Sequence, residues 1–354
     1  MLLKKKSYYY SALALLGLLF FSSCLKKPEL IHLTGNTMGT RYNVKYYVSN
    51  DPRKDEIHKK INQLLVDLND EMSTYIKSSQ ISYFNQTDRL GWIEIKPDFF
   101  EVTRYALELA NQTKGIFDPT IGPLVNLWGF GPNGERKVPN ISQIEEARKR
   151  VGFQKILLNE SRREIKKTVP RVYLDLSSLA KGFGVDKVAT FLQEEKIQNF
   201  MVEIGGEIKT KGKKAGGLDW KIAIEAPHPS KQGKEYQRVL NLNSLSLATS
   251  GSYRNYFIEK GKSYSHTIDV KSGRPVNHRV VSVSVVDKAS CMKADALATA
   301  IMAMGYEKGL KFAESNKIAA FFVYSEGSQK EIKFVTDEST EFKRLFSNKS
   351  TSGL

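Results

Sequence analysis

The stretch Arg171-Val-Tyr-Leu-Asp175-Leu-Ser-Ser-Leu-Ala-Lys181-Gly-Phe-Gly-Val-Asp186 decides the fold. Residues 171–176 alternate apolar and polar side chains, the period of a strand, and run without a linker into a stretch that reads as a helix to about Lys196. Such a junction suits either a doubly wound parallel sheet or an α+β fold, and the flanking sequence separates the two. Downstream, strands predominate: 200–210, 220–226, 238–247, 254–259, 263–270 and 280–287, with Lys260-Gly261 as a hairpin turn. A small-residue helix returns only at Met292 to Met304, and 318–324 reads as a last buried strand. Upstream, strands at 31–34 and 41–48 flank the tight turn Met38-Gly39-Thr40. Ile57, Ile61, Leu64, Leu65, Leu68 and Met72 then fall at helical spacing, and 98–113 reads as a second helix. Ser142-Gln143-Ile144-Glu145 has the form of a capping box. Strand and helix do not alternate regularly, so the expected class is α+β, with mixed or antiparallel sheets and packed helices.

The two ends lie outside that fold. Lys4, Lys5 and Lys6 precede a short apolar run from Ser11 to Phe21, the layout of an export signal rather than a membrane span. Phe21-Ser22-Ser23-Cys24 resembles a lipobox, with Phe where Leu is more usual; a signal anchor that contains a cysteine is the alternative. The expected division is a lipoprotein signal peptide at 1–23, a lipid-anchored tether at 24–30 beginning with a lipidated Cys24, the folded domain at 31–345 and a disordered tail at 346–354. The formal net charge is +16, three lysines of which leave with the leader. No nucleic-acid motif accompanies that charge, and an exported lipoprotein rarely meets DNA, so anionic headgroups are the partner the charge suggests, assisted by Lys26 and Lys27. With Cys24 lipidated, Cys291 is the one remaining cysteine and no intramolecular disulfide forms. Its place before an apolar helix marks it as a small buried hydrophobe.

Four groups of residues have chemical potential. Ser177 or Ser178 can cap the helix after Asp175, whose free N–H groups and early glycines form an anion site to which Lys181 adds a charge; a plain capped helix is the bland alternative. Asp295 and Thr299, four apart on an otherwise small and apolar helix, present two oxygens on one face, suiting Mg2+ or, equally, a solvated first-turn acid. His266 alternates with apolar neighbours on a strand, sharing a face with Tyr264 and Ile268, and its imidazole can accept a hydroxyl proton. Met38, Tyr75, Phe117 and Trp128 lie near turns and serve either as core or as a slot for a planar ring. The absence of HExxH, CxxC and GxSxG argues against a zinc hydrolase, a redox dithiol and an α/β-hydrolase.

In this order, the segments resemble the ApbE family of FAD:protein FMN transferases. The matching stretches are Met38-Gly39-Thr40, Met72 to Tyr75, Phe117 to Gly131, Leu174 to Asp186, Val202 to Glu207, Leu247 to Tyr253, Ser265 to Pro275 and Lys293 to Ala300. The resemblance implies FAD contacts from Met38, Tyr75, Ile116, Phe117, Asp118, Asp175, Lys181 and Ile268, in a cleft between two subregions. It implies a Mg2+ site at Ser178, Asp295, Ala298 and Thr299, where some relatives carry a second acid at position 298 and Thr or Ala at 178. His266 matches the family's base.

The implied reaction moves the FMN half of FAD onto a Thr or Ser hydroxyl of a membrane flavoprotein and releases AMP. The implied acceptors are subunits of Na+-translocating NADH:quinone reductase or of Rnf-type complexes, met at the periplasmic face of the inner membrane. Two alternatives keep the binding site: a Mg2+-dependent FAD pyrophosphatase yielding FMN and AMP, and a flavin-binding lipoprotein without catalysis.

Overall fold

Alternation of buried and exposed residues builds the first hairpin of the computed structural model. Ile31 and Leu33 on strand Glu29–Thr37 and Tyr42, Val44 and Tyr46 on strand Thr40–Val48 point to one side, and all are buried. Met38 and Gly39, with φ of 50° and 70°, supply the two left-handed residues that so tight a turn requires. The structure describes residues 28–346, apart from 50–51, 133, 227–235, 253–254 and 329–330. Cys24, the leader, most of the tether and the tail beyond Phe346 therefore lie outside the described residues. Strand Glu29–Thr37 already takes in the end of the expected tether.

That hairpin is one edge of an eight-stranded sheet whose spatial order follows the chain: Glu29–Thr37, Thr40–Val48, Phe200–Ile204, Glu207–Lys211, Ser246–Gly251, Val280–Asp287, Ala319–Ser328 and Glu331–Glu338. Every neighbouring pair is antiparallel. The α+β expectation holds. Between the second and third strands the chain inserts its helical layer, including Lys54–Met72, Pro97–Gln112 and Ser177–Glu194. Ile57, Ile61, Leu65 and Leu68 of the first of these pack with Val44, Tyr46, Val185, Val188 and Val202 in the main core.

The other half of the sheet is covered on both faces. Val283 and Val285 pack against Ala294, Ala298 and Ile301 of helix Cys291–Met304, while Leu247 and Val286 meet Phe321, Phe342 and Phe346 behind them. A separate small core gathers Leu124, Trp128, Ile144 and Ile268, with Phe257 and Tyr264 of the hairpin Tyr256–Glu259/Lys262–Ser265 against it. Trp128 is wholly buried there and donates its indole N–H to the Gly273 carbonyl at 2.8 Å, so it is core rather than a ring slot. The Lys260-Gly261 turn forms as expected, with φ of 50° and 75°.

Several local expectations fail. Residues 171–176 form no strand, although Val172, Leu174 and Leu176 are buried in alternation; Arg171 is a left-handed turn residue and the segment joins no sheet. The amide of Asn85 exchanges two hydrogen bonds with Leu174, donating to its carbonyl at 2.8 Å and accepting from its N–H at 2.7 Å, which replaces a ladder. Ser177 and Ser178 do not cap the next helix; Asp175 Oδ1 instead accepts from the Ser177 N–H at 2.9 Å. The capping box is Asn140 with Gln143, not Ser142 with Glu145. Strand 318–324 is followed by a further strand, Glu331–Glu338, and by helix Thr340–Phe346.

Candidate active site

Helices Ser177–Glu194 and Cys291–Met304 touch backbone to backbone where the site begins. A Cβ on Gly182 would lie 2.5 Å from the Cys291 carbonyl oxygen and 2.8 Å from Met292 Cα, so glycine is required for the approach. Asp186, one turn further along, locks the contact. Its carboxylate accepts from the N–H groups of Cys291 and Met292, both at 3.0 Å, and from Ser290 Oγ at 2.8 Å, with Lys209 Nζ at 2.6 Å. A carboxylate at free N–H groups of a helix start is favoured by both hydrogen bonding and the helix dipole. The Gly182 N–H in turn donates to Asp295 Oδ2 at 3.1 Å.

Asp295 is buried, and burial raises its pKa against the pull of Lys181 and the Gly182 N–H. Ser178 precedes Gly182 by four residues and Thr299 follows Asp295 by four, so both half-buried hydroxyls belong to the facing sides of the two helices. Ala298, fully buried, packs against the sheet. The oxygen set of Asp295, Thr299 and Ser178 fits a hard divalent cation. Among the described residues no three His, Cys, Asp or Glu side chains converge on one point. A cation here would thus rest on one carboxylate and neutral oxygens, completed by water and phosphate. Cys291 faces the Ile208 and Leu247 carbonyls, and burial pushes its thiol well up, so it is inert packing as expected.

Lys181 ties the helix pair to the sheet. Its ammonium sits 2.7 Å from Glu207 Oε2, and the charges of Asp295 and Glu207 keep it protonated although burial opposes its charge. Burial and the nearby Asp295 push the Glu207 carboxyl up, against the pull of Lys181. Glu207 and Asp186 were not singled out for a role by sequence. The one local mark on Glu207 is the left-handed Gly205-Gly206 turn before it; nothing local distinguishes Asp186 from an exposed helical acid.

His266 stands between this cluster and the small core. Both its backbone N–H, at 3.1 Å, and its Nδ1, at 3.0 Å, meet the Asn255 carbonyl. A carbonyl only accepts, so Nδ1 carries the proton and Nε2 is left with its lone pair. Burial lowers the His266 pKa, the Asn255 carbonyl opposes that, and the charge of Lys181 lowers it further. The ring lies edge-on to Phe130. A neutral imidazole with a fixed tautomer, near a half-buried ammonium, can take a proton next to a bound anion.

The remaining expected ligand residues divide. Met38 is half-buried at its turn, its methyl over Gly184 of the Ser177 helix, and Tyr75 is exposed. Asp175 is half-buried with its N–H on the Pro119 carbonyl, which ties it to the 116–120 segment. Asp118 is turned inward: its carboxylate accepts from Thr120 N and Oγ1 at 2.8 and 2.6 Å and from Phe153 N at 2.9 Å. Phe117 and Ile268 are core residues, while Ile116 is partly exposed. The charge of Lys181 thus acts on both Asp295 and His266, while Asp118, Phe117 and Ile268 are buried.

The sequence model of the ApbE family matches residues 38–322. The chain belongs to the ApbE family. Among curated relatives in that family, the FAD:protein FMN transferase of Vibrio cholerae is 44% identical over 312 residues, covering 88% of this chain and 92% of its own. The FAD:protein FMN transferase of Haemophilus influenzae is 42% identical over 337 residues, covering 94% and 96%. Solved ApbE structures agree in fold. The flavin transferase ApbE from Vibrio cholerae superposes with a TM-score of 0.80 at 40% identity, covering 90% of this chain and 99% of that one. The apo flavinyl transferase ApbE of Pseudomonas stutzeri gives 0.82 at 38%, covering 93% and 99%.

Proposed function

We propose that this chain is an FAD:protein FMN transferase acting on a Thr or Ser hydroxyl of a partner flavoprotein. The observation that carries the proposal is His266, whose Nδ1 is committed to the Asn255 carbonyl while burial, with a smaller contribution from the Lys181 charge, lowers its pKa and favours the neutral ring. The acceptor hydroxyl gives its proton to His266 Nε2, and its oxygen bonds to the FMN-side phosphorus of FAD. The phosphorus–oxygen bond to the bridging oxygen breaks in line, and AMP leaves with that oxygen. Lys181 supplies positive charge to the diphosphate, and the start of the Ser177 helix adds the positive end of its dipole. Mg2+ would be held by Asp295, Thr299 and Ser178, with Ala298 offering at most its carbonyl, and when bound would screen the diphosphate charge. Met38, Tyr75, Ile116 and Asp175 would border the flavin and adenine, with Asp118, Phe117 and Ile268 keeping the walls in place.

The anchored, extracytoplasmic placement rests on Lys4 to Lys6, the apolar run and Cys24. Among the described residues no helix is long and apolar enough to cross a membrane. An anchor of this kind would bring the enzyme to acceptor subunits of membrane flavoprotein complexes such as the Na+-translocating quinone reductase and Rnf types. Incubation with FAD, Mg2+ and such a subunit, followed by a denaturing gel, should give a fluorescent flavin band that needs all three. AMP release equally fast without the subunit, and no band, would indicate hydrolysis instead.

A further inference from the structure

The turn Gly205-Gly206-Glu207, between strands Phe200–Ile204 and Glu207–Lys211, has no part in the chemistry above. Both glycines are left-handed, with φ of 58° and 104°. A Cβ on Gly205 would fall 2.8 Å from Thr40 Cγ2 and 3.4 Å from Lys181 Cδ, so the lysine stem lies across bare backbone. Past that point the ammonium reaches Glu207, which is only 2% exposed. The turn is therefore a cradle for one side chain: glycine backbone under the stem, a buried carboxylate at the end.

Lysine is a flexible point charge, and a buried one takes whatever counter-charge is nearest. Two buried carboxylates, Asp295 and then Glu207, act on Lys181, and Glu207 is the one in direct contact. From this geometry we infer that Glu207 is a positioning residue: it holds the Lys181 ammonium away from Asp295 and leaves that carboxylate open to a divalent cation. The inference rests on the proposed cation site at Asp295. With Glu207 neutral, the stem has lost its anchor and the ammonium closes on Asp295, where it competes with the cation for the same oxygens. Glu207 touches neither substrate nor cation.

The test is a Mg2+ titration of the full chain without FAD, read by thermal melting. The wild type should gain melting temperature with Mg2+. Glu207→Gln should need on the order of tenfold more Mg2+ for the same gain. Glu207→Asp, which keeps the charge one methylene further back, should shift the same way by less, and carries the test if Glu207→Gln does not fold. Adding Lys181→Met to either variant removes the competitor and should restore the response to wild-type Mg2+ concentrations or below. A purely structural Glu207 would lower the melting temperature without moving the Mg2+ dependence. An unmoved dependence in both Glu207 variants, or one the Lys181→Met change does not restore, overturns the inference alone. A wild type indifferent to Mg2+ removes the cation site and the inference with it.

Discussion

The Gly182 N–H donates to Asp295 Oδ2 at 3.1 Å, bonding the backbone of one helix to the side chain that would hold the cation on another. That bond exists because the helices meet without a Cβ between them. Gly182→Ala would place a methyl against the Cys291 carbonyl, and the helices would have to part. We expect a loss of about 1–3 kcal/mol in unfolding free energy, measured by denaturant titration. Transfer should fall more steeply than stability predicts, because Asp295 is displaced.

Asp186 is the second link. Replacing it by Asn keeps the volume but removes the charge from two N–H groups, the Ser290 hydroxyl and Lys209. The expected loss is about 2–3 kcal/mol, seen as a lower melting temperature.

His266→Ala should lower transfer on the order of a hundred- to ten-thousandfold while FAD binding stays within a few-fold. The pH profile gives an independent check. A base works when neutral, and burial with Lys181 holds the His266 pKa below its ordinary 6.5. The rate should therefore stay level down to that pH and fall only on its acid side. A decline that begins above 6.5 as the pH is lowered would contradict the assignment.

Much of this was legible in the sequence where the physics is local. Helical spacing gave helix Lys54–Met72, and the Lys260-Gly261 pair gave its hairpin. The ordered motifs brought out Lys181, His266 and Asp295. What failed depended on distant partners. Residues 171–176 alternate as a strand should, but their backbone is met by Asn85, some ninety positions away, rather than by another strand. The Asp118 carboxylate meets the Phe153 N–H, thirty-five positions on, a contact that no spacing announces. Asp186 and Glu207 gain meaning only from Cys291 and Lys181, residues that the fold alone brings to them.

Asp295→Asn separates stability from cation binding. Burial disfavours the Asp295 charge, so the neutral variant should melt at or above the wild type in a chelator. Addition of Mg2+ should then stabilise the wild type alone, and transfer by the variant should fall on the order of a hundredfold or more.

The most direct measurement is intact mass of an acceptor subunit after incubation with the wild type, FAD and Mg2+, alongside the AMP formed. Addition of a single FMN to a Ser or Thr, with AMP appearing one for one and neither seen with His266→Ala, is the expected result. AMP accumulating while the acceptor mass stays unchanged, or labelling that persists without His266, would contradict it.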